Sequence, residues 1–435
     1  MSDLNLNNLH LENERISPCR TSSKVRFLTA DDLLLAEHLS PIQKTRIALE
    51  SLEVEGLLSF GVRTSFEFGQ LNILVGPNGS GKSNLLNCIR ILRLAPLEIH
   101  AAFDSTFEEW LYQGEIDGET LSHATLGTVP NLPSSPESVI HHLRLYPQAN
   151  SRVALEELIA PGNMGKRAFF SGSYRRDGRL SVVGPGSRVR IRVLNGDNYD
   201  PFSSILSQIR DASQYPEITR LATLYSQFRI YSEWTFGRDS VLRRPTPANR
   251  STTVLSEDMS DLALVLNGLG NSEAHDSIKK LLRELKQSYV DYNTRIIFGR
   301  VGLELDETPF NKPLPAARLS DGTLRFLALA AILFQPQPPP LICLEEPELG
   351  MHPDMIRMVG EMIVDASKRS QLIITTHSEY LLTVLQDDFD MLFAFDSGSQ
   401  GSEVTKLTKE EYHEWRSDHN LGKLWTSGEI GGVRY

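Results

Sequence analysis

The segment Gly76-Pro77-Asn78-Gly79-Ser80-Gly81-Lys82-Ser83 constrains this chain more than any other. It fits G-x-x-x-x-G-K-[ST], follows a continuous apolar run from Leu71 to Val75, and leads into the helical run Asn84 to Leu94. Glycines at these positions let successive backbone N–H groups turn inward, and the start of a helix adds favourable potential for an anion. Lys82 is then placed to reach β- and γ-phosphates, and Ser83 to ligate magnesium. A side-chain-poor loop around a lysine has little purpose without an anion, so strand, loop and helix together predict a nucleotide site in an α/β fold.

Three further segments carry groups suited to the same chemistry. Pro340 to Leu344 is an apolar strand that ends in Glu345-Glu346-Pro347-Glu348, at the carboxyl end where ligands sit in open α/β sheets. Glu345 can hold magnesium, and Glu346 can orient or deprotonate an attacking water. Leu372 to Thr376 is another apolar strand, with His377 at its end, where an imidazole can contact a γ-phosphate or the water. Leu319-Ser320-Asp321-Gly322-Thr323 opens the apolar helix Phe326 to Phe334. Taken alone, it reads as an N-cap, with first-turn N–H groups able to receive an anion.

Periodicity fills in the rest. Residues 1–46 are polar, with one short helical stretch at Asp31 to Leu39, and read as an arm. Strand-like runs recur at Val139 to Tyr146, Val153 to Ile159, Arg167 to Phe170, Leu180 to Val183 and Val189 to Leu194, which predicts an antiparallel lobe over about 130–200. Helical spacing follows at Ile205 to Phe228, Leu262 to Leu269 and Ser277 to Tyr292, a helical insertion over about 202–300. In the last of these, Ile278, Leu281, Leu282, Leu285 and Tyr289 form one apolar stripe, read as core packing. Residues 396–435 read as a tail, with Gly428, Gly431 and Gly432 near Trp425. Asp388 and Asp390 read as part of an exposed turn.

The order of these motifs resembles the ABC-type ATPase head of RecF, SMC proteins and OLD-like ATPases, over roughly residues 50 to 395. The resemblance implies a P-loop NTPase head spanning 47–395, with a mixed parallel core sheet, an antiparallel β lobe and a helical insertion. It makes Gly76 to Ser83 the Walker A loop, followed by Asn84, and Leu341 to Glu346 the Walker B strand. Ser320, Asp321, Gly322 and Thr323 become the signature, Glu348 to Pro353 the D-loop region, and His377 the switch histidine. Gln208 is the candidate Q-loop glutamine and a further magnesium ligand, with Gln227 its competitor. Asp321 in place of glycine, and Glu345 in place of the usual aspartate, look like the RecF and OLD-like branch rather than transporter motors. In that family the signature of one subunit covers the nucleotide of another, so ATP and Mg2+ are the implied cofactors and a homodimer or higher homo-oligomer the implied assembly.

Composition bounds the partners. The net charge of -11 argues against a surface that coats nucleic acid, because phosphate neutralisation needs excess Lys and Arg. One local exception exists: between Lys166 and Arg192 the only acid is Asp177, and Arg188, Arg190 and Arg192 share one strand face by alternation. That face could meet phosphates or an acidic protein surface, or simply be solvated. Cys19, Cys88 and Cys343 lack pair or metal spacing, and the longest apolar run is too short to span a bilayer, so the expected setting is cytoplasmic, without a membrane partner. The stretch after His377 is short for a Toprim nuclease domain. Two functions follow: an ATP-switched regulator of a separately encoded effector, expected by resemblance to be a Toprim-like nuclease in antiphage defence, or a RecF-like ATPase that binds DNA.

Overall fold

The computed structural model describes residues 47–133, 135, 138–162, 167–183, 189–196, 198–249, 253–415 and 420–430. The stretch expected to be helical at Asp31 to Leu39, together with Lys166, Arg188, Gly431 and Gly432, lies outside them. Before the phosphate loop come β1 (Leu49–Glu55), β2 (Thr64–Glu67) and β3 (Leu71–Val75), and after it α1 (Lys82–Leu94) and α2 (Phe107–Trp110). A small hairpin, β4 (Glu115–Ile116) and β5 (Glu119–Thr120), precedes β6 (Ala124–Pro130), β7 (Val139–Gln148), β8 (Arg152–Pro161), β9 (Phe170–Ser173), β10 (Arg176–Val183) and β11 (Val189–Leu194). Next are α3 (Ile205–Gln208), α4 (Pro216–Ser226), β12 (Arg229–Tyr231), β13 (Thr246–Pro247), α5 (Leu262–Gly268) and α6 (Glu273–Leu285). Strands β14 (Tyr289–Ile297), β15 (Arg300–Glu307) and β16 (Leu314–Pro315) lead into α7 (Asp321–Leu333) and β17 (Leu341–Glu345). The chain continues through α8 (Pro353–Ser367), β18 (Gln371–Thr375), α9 (Glu379–Leu385), β19 (Met391–Gly398), β20 (Gly401–Thr408), α10 (Lys409–Trp415) and α11 (Leu421–Thr426).

The central sheet has the order β12-β17-β18-β3-β19-β20. All its pairings are parallel except β19 with β20. Its inner strands are mainly apolar because helices and a second sheet cover both faces, while the edge strand β20 carries Glu403, Thr405 and Lys406. Alternation divides them between two cores: Leu71, Ile73 and Val75 face one, with Ile342, Leu344, Leu372 and Ile374, while Leu74, Cys343 and Ile373 face the other. The first core holds α7, α8 and α9, and the second holds α1, α4 and the antiparallel sheet, β11-β10-β9-β8-β7-β6-β1-β2. The expected mixed parallel core with an antiparallel lobe is therefore present.

One buried side chain stitches the layers. Gln371, at the start of β18, accepts from Ala48 N and Leu49 N at 3.0 and 2.9 Å, and donates to Leu49 O and Gly69 O at 2.9 Å. Asp390 works similarly, its Oδ2 accepting from Gln70 N and Leu71 N at 2.8 Å, so this acid fixes the start of β3.

Several boundaries differ from the sequence reading. The antiparallel lobe is not confined to about 130–200, because β1, β2 and β6 belong to it. Residues after 395 are not wholly a tail: β19 runs to Gly398 and β20 completes the central sheet. The insertion mixes helices with a sheet ordered β13-β15-β14, with β16 also on β15. Helix α6 stops at Leu285, and Tyr289 begins β14, so it extends no helical stripe. The alternation predicted for β11 holds, but Arg190 and Arg192 pair with Val182 and Leu180 and share their face with buried Leu194, while Val193 is 57% exposed. At a sheet edge the core no longer covers both ends of a strand, so exposure follows position as much as face.

Candidate nucleotide site

Parallel pairing brings the carboxyl ends of β3, β17 and β18 side by side, so the phosphate loop, the acids and His377 meet at one rim. Gly76 and Gly81 adopt φ of 146° and 109°, and a Cβ on either would collide, with Phe395 O and with Ser402 Oγ respectively. Lys82 is buried, and its ammonium donates to Gly76 O and Pro77 O at 2.8 Å. Burial lowers its pKa to about 8, and the nearby carboxylates of Glu346 and Glu345 oppose that shift. The Ser80 hydroxyl is buried in the loop with no hydrogen-bond partner among the described residues. A buried donor of this kind fits an anion in the loop. Asn84 donates to Ser59 Oγ at 2.8 Å, and Ser402 Oγ bonds Ser59 Oγ at 2.7 Å and Ser80 O at 2.6 Å, so β20 braces the loop from behind.

The Ser83 hydroxyl hydrogen-bonds the Glu345 carboxylate. One hydroxyl and one carboxylate, both hard oxygen donors, form a set suited to Mg2+, which takes its remaining ligands from phosphate and water. Glu346 leaves β17 with φ of 44°, its N–H bonded to both Thr375 O and Thr375 Oγ1 at 3.1 Å. That turn places its carboxylate 3.4 Å from His377 Nε2. Glu348, the third acid, is nearly fully buried and accepts from Thr376 Oγ1 at 2.6 Å and His377 N at 3.0 Å. Burial raises its pKa. Its work is to tie the turn after β17 to the turn that carries His377.

Residues that sequence reasoning missed connect these acids to the turn from Leu319 to Thr323. Trp234, just beyond β12, donates from Nε1 to Glu345 O at 2.8 Å. Arg325, on α7 and only 1% exposed, stacks 4.1 Å from the Trp234 ring centre and donates to Glu346 O and, at 2.6 Å, to Leu349 O. Burial depresses its pKa to about 10. Arg243 donates to Leu319 O and Asp321 Oδ1 at 2.6 Å, to Ala316 O at 3.1 Å and to Gly237 O at 2.8 Å, while Gly237 N donates to Asp321 Oδ2 at 3.0 Å. Asp321 is thus an anchor for the signature turn, held by Arg243, which keeps its carboxyl below the usual range. No residue pattern in the sequence marked these contacts, since their acceptors are mostly backbone carbonyls distant in the chain.

Ser320 caps α7, accepting from Thr323 N at 3.1 Å and bonding Thr323 Oγ1 at 2.7 Å, and it is exposed. Gly322 and Gly350 lie close together beside Phe236, and Phe236 and Leu349 are 43% and 46% exposed. The turn at Ser320 to Gly322 and the turn after β17 therefore share one open, partly apolar surface.

Gln208 departs from its expected role. Its amide accepts from Asp200 N at 2.9 Å and donates to Asp200 O and Ser203 O at 2.9 and 2.7 Å, which closes the turn before α3 and commits it away from the phosphate loop and from magnesium. Gln227 caps the C-terminus of α4. The strand alongside Walker B is β12, so the segment from Ser232 to Trp234 occupies the neighbouring position at the rim.

Comparison with known proteins matches residues 71–135 and 212–383, more than half of the chain, to the family described as "AAA domain, putative AbiEii toxin, Type IV TA system". Similar curated proteins include chromosome partition protein Smc of Methanococcus voltae, 33% identical over 85 residues, which is 19% of this chain and 7% of that protein. Another is chromosome partition protein Smc of Desulfitobacterium hafniense (strain Y51), 47% identical over 45 residues, 10% of this chain and 4% of that protein. The matches thus span less than a tenth of either relative's length. Among solved structures, an Smc head bound to the C-winged helix domain of ScpA superposes with a TM-score of 0.53 at 15% identity, covering 84% of this chain and 99% of that one. An Smc head with an extended coiled coil, bound to the C-terminal domain of ScpA derived from Pyrococcus furiosus, gives 0.52 at 13% identity, covering 85% and 98%. At these identities the likeness is one of fold. The chain belongs to this AAA-domain family and has the ABC-type ATPase head fold seen in the Smc structures.

Proposed function

We propose that this protein binds and hydrolyses ATP in a site closed by a second copy of itself, and that the resulting switch controls a separately encoded effector. The observation that carries hydrolysis is the meeting of Ser83 with Glu345 and of Glu346 with His377 at the carboxyl ends of neighbouring parallel strands. Mg2+, when bound, would neutralise phosphate charge between Ser83 and Glu345. Lys82, Ser80 and the loop N–H groups hold the phosphates, Glu346 orients and deprotonates the attacking water, and His377 shares a hydrogen bond with it or with the γ-phosphate. Ser320 and the first N–H groups of α7 supply anion contacts to the partner's nucleotide, on the surface that also presents Phe236 and Leu349.

The family's description names a putative toxin of a type IV TA system, and control of a second protein rests on the resemblance alone. A Toprim-like nuclease in antiphage defence is the effector the resemblance implies. The DNA-binding alternative has one observation in its favour: Arg167, Arg175, Arg179, Arg190 and Arg192 are all exposed. ATP turnover measured with and without duplex DNA separates the two. The regulator reading expects stimulation below about twofold at low salt, because binding through so few cations is weak. Strong stimulation that raised salt removes, and that R190A/R192A abolishes, would transfer the assignment to the DNA-binding ATPase.

A further inference from the structure

The segment 420–430 is built onto the helix that follows His377. Gly422 faces α9 so closely that a Cβ would collide with Glu379 O and lie 2.8 Å from Thr383 Oγ1. Asn420 caps α11 by accepting from Lys423 N at 2.8 Å. Gln386 Oε1, just past α9, accepts from Tyr412 Oη at 3.0 Å and from Leu421 N at 3.4 Å, which locks α10, α11 and α9 together. Leu421, Leu424, Trp425 and Ile430 enter the same core as α8 and α9.

This mounting carries one side chain to the nucleotide rim. The Trp425 ring, only 2% exposed, lies with its centre 6.4 Å from that of His377, the planes inclined at 55°. The His377 Nε2 is also 3.4 Å from Glu346 Oε1. The imidazole therefore has both the acid and the indole as neighbours, and its backbone N–H is held by Glu348. An imidazole can aim at a phosphate or a water only if its χ angles are restrained, and a rigid aromatic wall restrains them at low entropic cost.

We propose that Trp425 is a positioning residue for His377, and that α11 is the buttress of this switch rather than a passive end of the fold. The proposal rests on the reading of His377 given above. Docking of α11 on α9 sets the imidazole, so a partner that displaced α11 would slow hydrolysis while leaving the phosphate loop intact.

The test uses the full chain. The protein has 11 histidines, and the imidazole resonance of His377 is the one that H377A removes. In W425A and G422S that resonance shifts, and in W425F it shifts less. ATP turnover by W425A falls about tenfold in kcat with KM within about twofold, whereas the same change on an H377A background costs less than about twofold. An unmoved His377 resonance in W425A that retains its circular dichroism would overturn the proposal, as would an equal kcat loss with and without His377. Should W425A fail to fold, G422S answers the same question, since it displaces α11 without altering the indole. A chain that splits no ATP would refute the proposed function, and the resonance would still decide whether Trp425 positions His377.

Discussion

At the scale of single residues, Glu346 shows how the site is held. A non-glycine residue at positive φ costs about 1–2 kcal/mol. Here Thr375 engages its N–H and Arg325 its carbonyl, so the turn is fixed from both sides. Lys82 supplies a test through linkage. Its pKa of about 8 reflects burial, and phosphate beside it favours the charged form and raises that value. At pH 8 the complex therefore binds more protons than the free protein, and affinity falls as pH rises through 8. Calorimetry in buffers of different ionisation enthalpy is expected to show uptake of roughly half a proton per ATP bound at pH 8. No uptake, or release, would contradict the position given to Lys82. Lys82, Ser83, Glu345, Glu346 and His377, which the structure gathers at one rim, were named from local motifs in the sequence. Trp234, Arg243 and Arg325 were not, because their partners are mostly backbone carbonyls distant in the chain, which leave no mark in residue type. Gln208 was misplaced for the converse reason: a glutamine is equally suited to close a turn.

At the scale of elements, the strands were legible wherever alternation or a continuous apolar run was clean, as in β3, β7, β8, β17 and β18. Assignments failed where a pattern crossed a boundary. Tyr289 continues the apolar spacing of α6 but belongs to β14, and β20 could not be recognised as a core strand because its outer face is polar at the sheet edge. The turn from Leu319 to Asp321 depends on Arg243, which gathers carbonyls at Leu319, Ala316 and Gly237 as well as the Asp321 carboxylate. R243A is expected to lower ATP turnover about tenfold or more while ATP affinity of the isolated protomer changes less than about twofold. Parallel loss of binding and turnover would place Arg243 in general stability instead. R243K would recover little, since an ammonium cannot span these acceptors in one plane.

At the scale of the whole molecule, one sheet feeds two cores and its rim gathers the groups proposed to hold nucleotide, while the turn from Leu319 to Thr323, the proposed signature, occupies a surface with Phe236 and Leu349 exposed. That division suits the proposed completion of the site from outside the protomer. Glu346→Gln keeps the shape of the acid and removes the base, so hydrolysis should fall by about two orders of magnitude or more and the nucleotide-bound assembly should persist. The most direct measurement is the mass of this variant in solution by light scattering after size exclusion, with and without ATP and Mg2+. The account predicts a rise from the 48.8 kDa protomer to at least twice that mass with ATP, and loss of the rise when Ser320 is replaced by arginine. The same mass in both conditions, in protein that demonstrably binds ATP, would contradict closure by a second copy.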